Sequence, residues 1–113
     1  AKYMNSGKQQ EKDPAGNPEQ YIITIEYCPQ CNWMLRAAYM AQELLTTFTG
    51  DIKGVLLVPS AVNGRYTIST NDTVVFHRKR ENGFPEIKNL KQRIRDIVNP
   101  GKSLGHSDKA TGV

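Results

Sequence analysis

Two cysteines at a three-residue spacing are the residues most suited to chemistry in this chain. Cys28 and Cys31 flank Pro29 and Gln30, and they are the only cysteines in the 113 residues. A disulfide across so short a loop restricts little of the unfolded chain, so it would be a poor structural staple. In a reducing compartment such a pair is more often catalytic, redox-sensing or metal-binding. We take Cys28 and Cys31 as candidate catalytic thiols, supported by Pro29 and Gln30.

The position of the motif adds to its spacing. Residues 21–27 are β-branched and aromatic, and their alternate members form a wholly apolar face, which predicts a strand. Pro29 suits the first position of a helix, and apolar residues recur at helical spacing as far as Phe48. Residues 52–58 predict a second strand, parallel to the first. The motif should therefore lie where a strand meets a helix.

A helix N-terminus favours a thiolate, because its amides are unpaired and its dipole is positive there. A lower thiol pKa increases the thiolate that can attack a disulfide. We expect Cys28, at the helix entrance, to attack first. Cys31, one turn inside the helix, would then resolve the mixed disulfide.

The rest of the sequence predicts an α/β fold. Residues 65–70 and 73–79 read as two strands joined by a tight turn at Asn71-Asp72, and residues 85–98 as an amphipathic helix. The order β-α-β-β-β-α predicts a two-layer sandwich, with both helices on one face of a mixed four-stranded sheet. We expect a disordered tail at 1–19, one domain at 20–99 and a polar tail at 100–113.

Other chemistries receive less support. Most structural zinc sites need four ligands, and only His77 and His106 could join the two cysteines, so we expect no metal and no resident cofactor. The net charge of +4 is small and acidic residues are interspersed, which makes nucleic acid an unfavoured partner. No apolar run approaches the roughly 20 residues of a membrane span, and the first residues show no export signal. We therefore expect a cytoplasmic protein.

Several residues near the motif have two interpretations. Trp33 could shield the sulfurs or contact a partner, or it could be ordinary helix packing. Phe84, in a Gly-Phe-Pro turn, could likewise cover the thiols or plug the core beside a helix start. Arg36 could stabilise a thiolate, although a solvated helix position is the simpler interpretation. The basic run 78–80 and the later helix cations are interpreted as solvated.

Three separated segments resemble one family. Residues 27–38 (YCPQCNWMLRAA), 83–88 (GFPEIK) and 103–108 (SLGHSD) are similar to bacterial members of the Rdx family, the relatives of selenoprotein W. The resemblance spans roughly residues 21–108. It implies a thioredoxin-like fold and a redox role, with glutathione as a candidate co-substrate.

The sequence differs from the selenium-containing relatives in one way and from thioredoxins in another. Selenium-containing relatives carry selenocysteine where this chain has Cys31, which leaves open whether Cys28 or Cys31 attacks first. Thioredoxins place a cis-proline directly before the third strand, where this chain has Asn63-Gly64-Arg65, and Pro59 comes too early.

The expected function is thiol–disulfide exchange with protein or glutathione partners. The alternative is a non-catalytic, redox-responsive protein-binding module. Apolar residues such as Ile22 on the second sheet face also predict a weak homodimer.

Overall fold

The computed structural model describes residues 20–105, so the predicted tail at 1–19 and most of the predicted C-terminal tail lie outside the described residues. The elements are β1 (Ile22–Tyr27), α1 (Met34–Thr47), β2 (Gly54–Pro59), β3 (Tyr66–Thr70), β4 (Thr73–His77), α2 (Arg78–Glu81) and α3 (Ile87–Val98). The predicted element order is confirmed, with the four-residue α2 added.

The four strands form one mixed sheet in the order β2-β1-β3-β4. β1 runs parallel to β2 and antiparallel to β3, and β3 and β4 form the predicted hairpin. Tyr27, at the end of β1, pairs with both Pro59 and Tyr66. The end of β1, the end of β2 and the start of β3 therefore meet at one end of the sheet, immediately before the cysteine motif.

Both long helices share one core with one face of the sheet. Ile23 and Ile25 of β1 and Ile68 of β3 are completely buried in it. The helices contribute buried residues to the same cluster: Ala37, Met40, Ala41 and Leu44 from α1, and Leu90, Ile94 and Val98 from α3. The two-layer α/β architecture predicted from single apolar stripes is thus confirmed. The second face keeps Leu56 and Val74 exposed.

The first helix begins at Met34, so its predicted start at Pro29 is wrong. The Asn32 amide donates to the Pro29 carbonyl over 3.1 Å, which closes a turn. Asn32 adopts a φ of 61°, in the left-handed region that a right-handed helix cannot include. Proline's preference for a first helical position was therefore overridden by the turn.

The predicted strand 73–79 also ends early, because residues 78–81 form α2. This helix contains only charged residues, so no apolar periodicity announced it. The helix ends at Glu81, and the next residue, Asn82, caps it with a φ of 59°. The chain then continues through the loop 82–86 into α3.

The opposite end of the sheet is held by side chains. Asn71, in the hairpin turn, accepts from the Ile22 amide (2.9 Å) and donates to the Gln20 carbonyl (2.6 Å). Lys102 pairs with Asp51 at 3.0 Å, just before β2 begins. Both termini of the described segment are therefore anchored at the sheet end that lies away from the cysteines.

No helix within residues 20–105 is long and apolar enough to cross a membrane.

Candidate redox site

Cys28 and Cys31 are joined by a disulfide, with their Cα atoms 5.3 Å apart. Both lie in the turn between β1 and α1. Cys28 is completely buried, whereas Cys31 is partly exposed. A reactant that approaches from solvent therefore meets Cys31.

This geometry removes the premise for Cys28 as the first nucleophile. Both cysteines precede α1, and Cys31 lies closer in sequence than Cys28 to the first helical residue, Met34. The favourable field of a helix N-terminus is felt mainly within its first turn. Cys31 is thus the sulfur that lies both nearer to α1 in sequence and nearer to solvent.

The loop after β2 fixes the strand end that leads into the motif. The Ser60 amide donates to the Tyr27 carbonyl at 2.7 Å, and the Ser60 hydroxyl donates to Glu26 at 2.7 Å. The Val62 amide in turn donates to the Ser60 hydroxyl at 3.0 Å. Pro59 closes β2, and all peptide bonds within residues 20–105 are trans. Hydrogen bonds from this loop, rather than a cis-proline, therefore hold the end of β1.

Three aromatic rings pack together next to Trp33, the residue that separates the cysteine turn from α1. Trp33 and Phe84 lie edge to face with centroids 4.8 Å apart, and Tyr66 lies 5.2 Å from Phe84 and 6.3 Å from Trp33. The structure thus brings together Trp33 and Phe84, the two residues proposed from sequence. Tyr66 was missed as a site residue, because its alternation marked it only as an inward-facing strand position.

Two arginines stack on these rings. The Arg36 guanidinium lies 3.9 Å from the Phe84 centroid, and the Arg78 guanidinium lies 4.9 Å from Trp33 and 5.2 Å from Phe84. The interpretation of both as simply solvated is therefore incomplete. Burial raises the pKa of Tyr66 to about 12, and the charge of Arg36 opposes part of that rise. Tyr66 is a neutral phenol at physiological pH.

An open apolar cavity of about 470 Å³ lies beside the cysteine turn. Its lining includes two turn residues, Pro29 and Asn32, and the exposed Met34 and Leu35 at the start of α1. Tyr27 and Ala38 complete it. Gln30 is exposed at the tip of the turn. The cysteine turn thus contributes Pro29 and Asn32 to the apolar cavity and leads directly into Trp33 of the aromatic–arginine cluster.

Within the described part of the chain, no group of three or more His, Cys, Asp or Glu residues is arranged to hold a metal ion. His77 lies at the end of β4, in a different part of the sheet edge from the cysteine turn, and His106 is outside the described residues.

Comparison with known proteins identifies the family. The Rdx family model matches residues 22–96, which include every strand and the cysteine turn. The chain belongs to the Rdx family. The resemblance found in the sequence is confirmed.

Solved structures agree with this assignment. A selenoprotein W-related protein from Vibrio cholerae is 49% identical, with a TM-score of 0.68, and the match covers 72% of this chain and 100% of that one. A protein from Bordetella parapertussis is 50% identical with a TM-score of 0.66, covering 69% and 98% of the two chains. The thioredoxin-like α/β fold implied by the family is thus confirmed for this Rdx protein. A search of functionally curated proteins gives no significant match.

Proposed function

We propose that this Rdx protein is a thiol–disulfide oxidoreductase that exchanges two electrons with disulfides of proteins or of glutathione. The observation that carries the proposal is the pairing of a buried sulfur, Cys28, with a partly exposed one, Cys31, at the carboxyl-terminal edge of β1. Such a pair separates the two tasks of disulfide exchange. The accessible sulfur meets the partner, and the protected sulfur stays in reach to resolve.

The reaction begins with the reduced dithiol. The Cys31 thiolate attacks one sulfur of the partner disulfide, a Cys31–partner disulfide forms, and the other partner sulfur leaves as a thiolate. Cys28, as its thiolate, then attacks the Cys31 sulfur, which releases the second partner thiolate and forms the Cys28–Cys31 disulfide. The protein dithiol has lost two electrons and two protons, and the partner disulfide has gained them. Two thiols from an external donor reverse the sequence.

The apolar cavity beside the turn favours protein partners. Met34 is 59% exposed and Leu35 is 82% exposed, so the cavity presents apolar side chains to solvent. A peptide segment around a partner cysteine could bury them, whereas glutathione offers little apolar surface. Glutathione remains in the proposal as a co-substrate that regenerates the dithiol. The proposed setting is the cytoplasm, where the thiol pool keeps such a pair cycling.

The deciding experiment is the reduction potential of the Cys28–Cys31 pair. Trp33 is the only tryptophan and lies two residues from Cys31, so its fluorescence should report the redox state of the turn. We expect a transition within about −300 to −180 mV in a series of reduced and oxidised glutathione. The Cys28→Ser/Cys31→Ser double variant, which cannot form the disulfide, should show no transition. A potential far below this range would contradict turnover, because glutathione could not reduce the disulfide.

A second function is favoured by the place of the turn in the cavity wall. Pro29 and Asn32 belong both to the disulfide-bonded turn and to the apolar lining. Reduction of the Cys28–Cys31 disulfide would release the turn and change the shape of the cavity. A non-catalytic, redox-responsive binding module requires such a change in its binding surface. That module predicts partner binding that depends on redox state without multiple turnovers of disulfide reduction. Steady-state turnover with a coupled glutathione donor separates the two functions.

A further inference from the structure

Two guanidinium groups beside the disulfide have no acidic partner within residues 20–105. The other four arginines of this segment each interact with a carboxylate. Arg65 lies 3.7 Å from Glu26, Arg93 2.7 Å from Glu81 and Arg95 2.8 Å from Asp96, and the charge of Arg80 acts on Glu81. Arg36 and Arg78 instead lie over aromatic rings. Their positive charge is therefore held in place without being neutralised by the fold.

The stacking leaves hydrogen-bonding capacity unused. An aromatic ring engages the face of a guanidinium, while the N–H groups point outward in its plane. The Arg78 Nε atom is buried and has no acceptor in the described structure. The Tyr66 hydroxyl, on a completely buried residue of the same cluster, also lacks a partner. Such buried polar atoms without partners carry a desolvation cost that a bound ligand can relieve.

The cluster lies next to the sulfur that meets the partner. Trp33, which carries Arg78 on its ring, follows Cys31 by two residues, a span of at most about 7 Å of chain. Arg36 belongs to the first turn of α1. This short connection in the chain is the reason to consider the two guanidinium groups as contacts for a substrate group close to the reacting sulfur.

We propose that Arg36 and Arg78 form a carboxylate-binding site, which selects disulfide substrates that carry a carboxylate close to the reacting sulfur. The planar N–H fork of arginine matches a carboxylate, and such charge-assisted bonds are strong for their size. The carboxylate can come from glutathione or from an acidic residue beside a partner cysteine. The inference rests on the proposed thiol–disulfide exchange and specifies its substrate class.

The first test compares small disulfides of different charge on the reduced protein. Second-order rates are measured by stopped flow with the dianionic 5,5′-dithiobis(2-nitrobenzoate) and the neutral 4,4′-dithiodipyridine. Arg36→Gln and Arg78→Gln should each lower the ratio of the dianion rate to the neutral-reagent rate by about three-fold. The loss should shrink at high salt, because exposed charges are screened.

The matched control is Lys79→Gln, which removes the same charge one residue from Arg78 but from outside the cluster. It should change both rates by less than the arginine variants do. An equal loss with both reagents would overturn the proposal, because it would mean that the arginines act on the thiolate itself. An equal loss of the dianion rate in Lys79→Gln would also overturn it, since net charge alone would explain the effect.

The second test varies the substrate on the unchanged protein, so no variant has to fold. One arm compares oxidised glutathione with its methyl tetraester, in which the four carboxylates are converted to uncharged esters. The other compares peptide disulfides with Asp or Asn beside the cysteine. A preference for the carboxylate form in the first arm identifies glutathione as the source, and in the second arm an acidic protein segment. No preference in either arm overturns the carboxylate site while leaving the redox function standing, whereas no reaction with any disulfide overturns the redox function itself.

Discussion

Trp33 and Phe84 meet edge to face with ring centroids 4.8 Å apart, although 51 positions separate them in the chain. Trp33 directly follows the cysteine turn, and Phe84 belongs to the loop between α2 and α3. The contact therefore ties the cysteine turn to the loop that leads into the last helix. Edge-to-face pairs of this kind contribute roughly 0.5–1.5 kcal/mol beyond the burial of their area.

Removal of the Phe84 ring should destabilise the fold and loosen the turn. Phe84→Ala should lower the free energy of unfolding by about 1–3 kcal/mol, less than for a fully buried ring, because Phe84 is only half-buried. Urea unfolding followed by circular dichroism measures the change. Phe84→Leu, which retains apolar bulk, should lose less, and an equal loss in both variants would show that the ring contact contributes nothing specific.

The two single cysteine variants should behave differently. Cys28→Ser keeps the partly exposed Cys31, and should accumulate a stable mixed disulfide with glutathione. Cys31→Ser keeps only the buried Cys28, whose reaction requires local opening. An opening cost of 1.4 kcal/mol or more makes its alkylation slower by at least about ten-fold.

Mass spectrometry after exposure to oxidised glutathione, with iodoacetamide rates measured against pH, tests this order. A faster and more acidic Cys28 would restore the assignment first predicted from the sequence. Denatured samples of both variants serve as the control, because their thiols should then react at similar rates.

The raised pKa of Tyr66 predicts that the fold loses stability at high pH. Its pKa is raised from 10.0 to about 12 in the fold, so the unfolded chain ionises first as the pH rises. The resulting stabilisation is fully present below about pH 10 and is lost between pH 10 and 12. Over that interval the wild type should lose about 2 kcal/mol relative to Tyr66→Phe, which has no phenol to ionise.

Urea unfolding of both proteins at several pH values measures this difference, and other titrating groups cancel in the comparison. Near pH 7 the variant should be at least as stable as the wild type, because it removes a buried hydroxyl that has no protein partner in the described residues. A constant difference from pH 7 to 12 would contradict the raised pKa.

The exposed sheet face predicts weak self-association. Leu56 is 53% exposed and Val74 is 43% exposed on this face, and β2 and β4 are open edges. Sedimentation equilibrium should show a dimer only at high concentration. Leu56→Lys should abolish it, while Leu35→Lys, an equivalent change on α1, should leave it intact; a wild type that stays monomeric throughout would exclude the dimer.

Local pattern was enough to predict the frame of the fold. The alternation around Ile23 and Ile25 predicted β1, and Asn71-Asp72 predicted the hairpin turn, because both signals depend only on neighbouring residues. The helix start was placed five residues too early, at Pro29 instead of Met34. The residue preference of a single proline could not reveal the turn that the Asn32 conformation and the disulfide impose.

The candidate site was only partly predictable for a different reason. The spacing of the two cysteines identified them as candidates. Tyr66, Arg78 and Phe84 instead join Trp33 from distant segments of the chain. Arg78 belongs to a run of charges with no apolar period, which reads as solvent-facing until the tertiary fold places it on a ring. Contacts between remote segments carry no local signature, so these residues had to come from the structure.

The anchoring of both described termini by Asn71 and Asp51 bears on how the protein can be attached to other objects. β1 is six residues long, so the Asn71 clamp lies roughly 20 Å from the cysteine turn. A linker or a fused domain joined directly at Gln20 or Lys102, within the described residues, would leave the fold away from the disulfide. The fold can thus be attached to a surface through the sheet end that lies away from the cysteine turn, which leaves the partly exposed Cys31 accessible to reactants in solution.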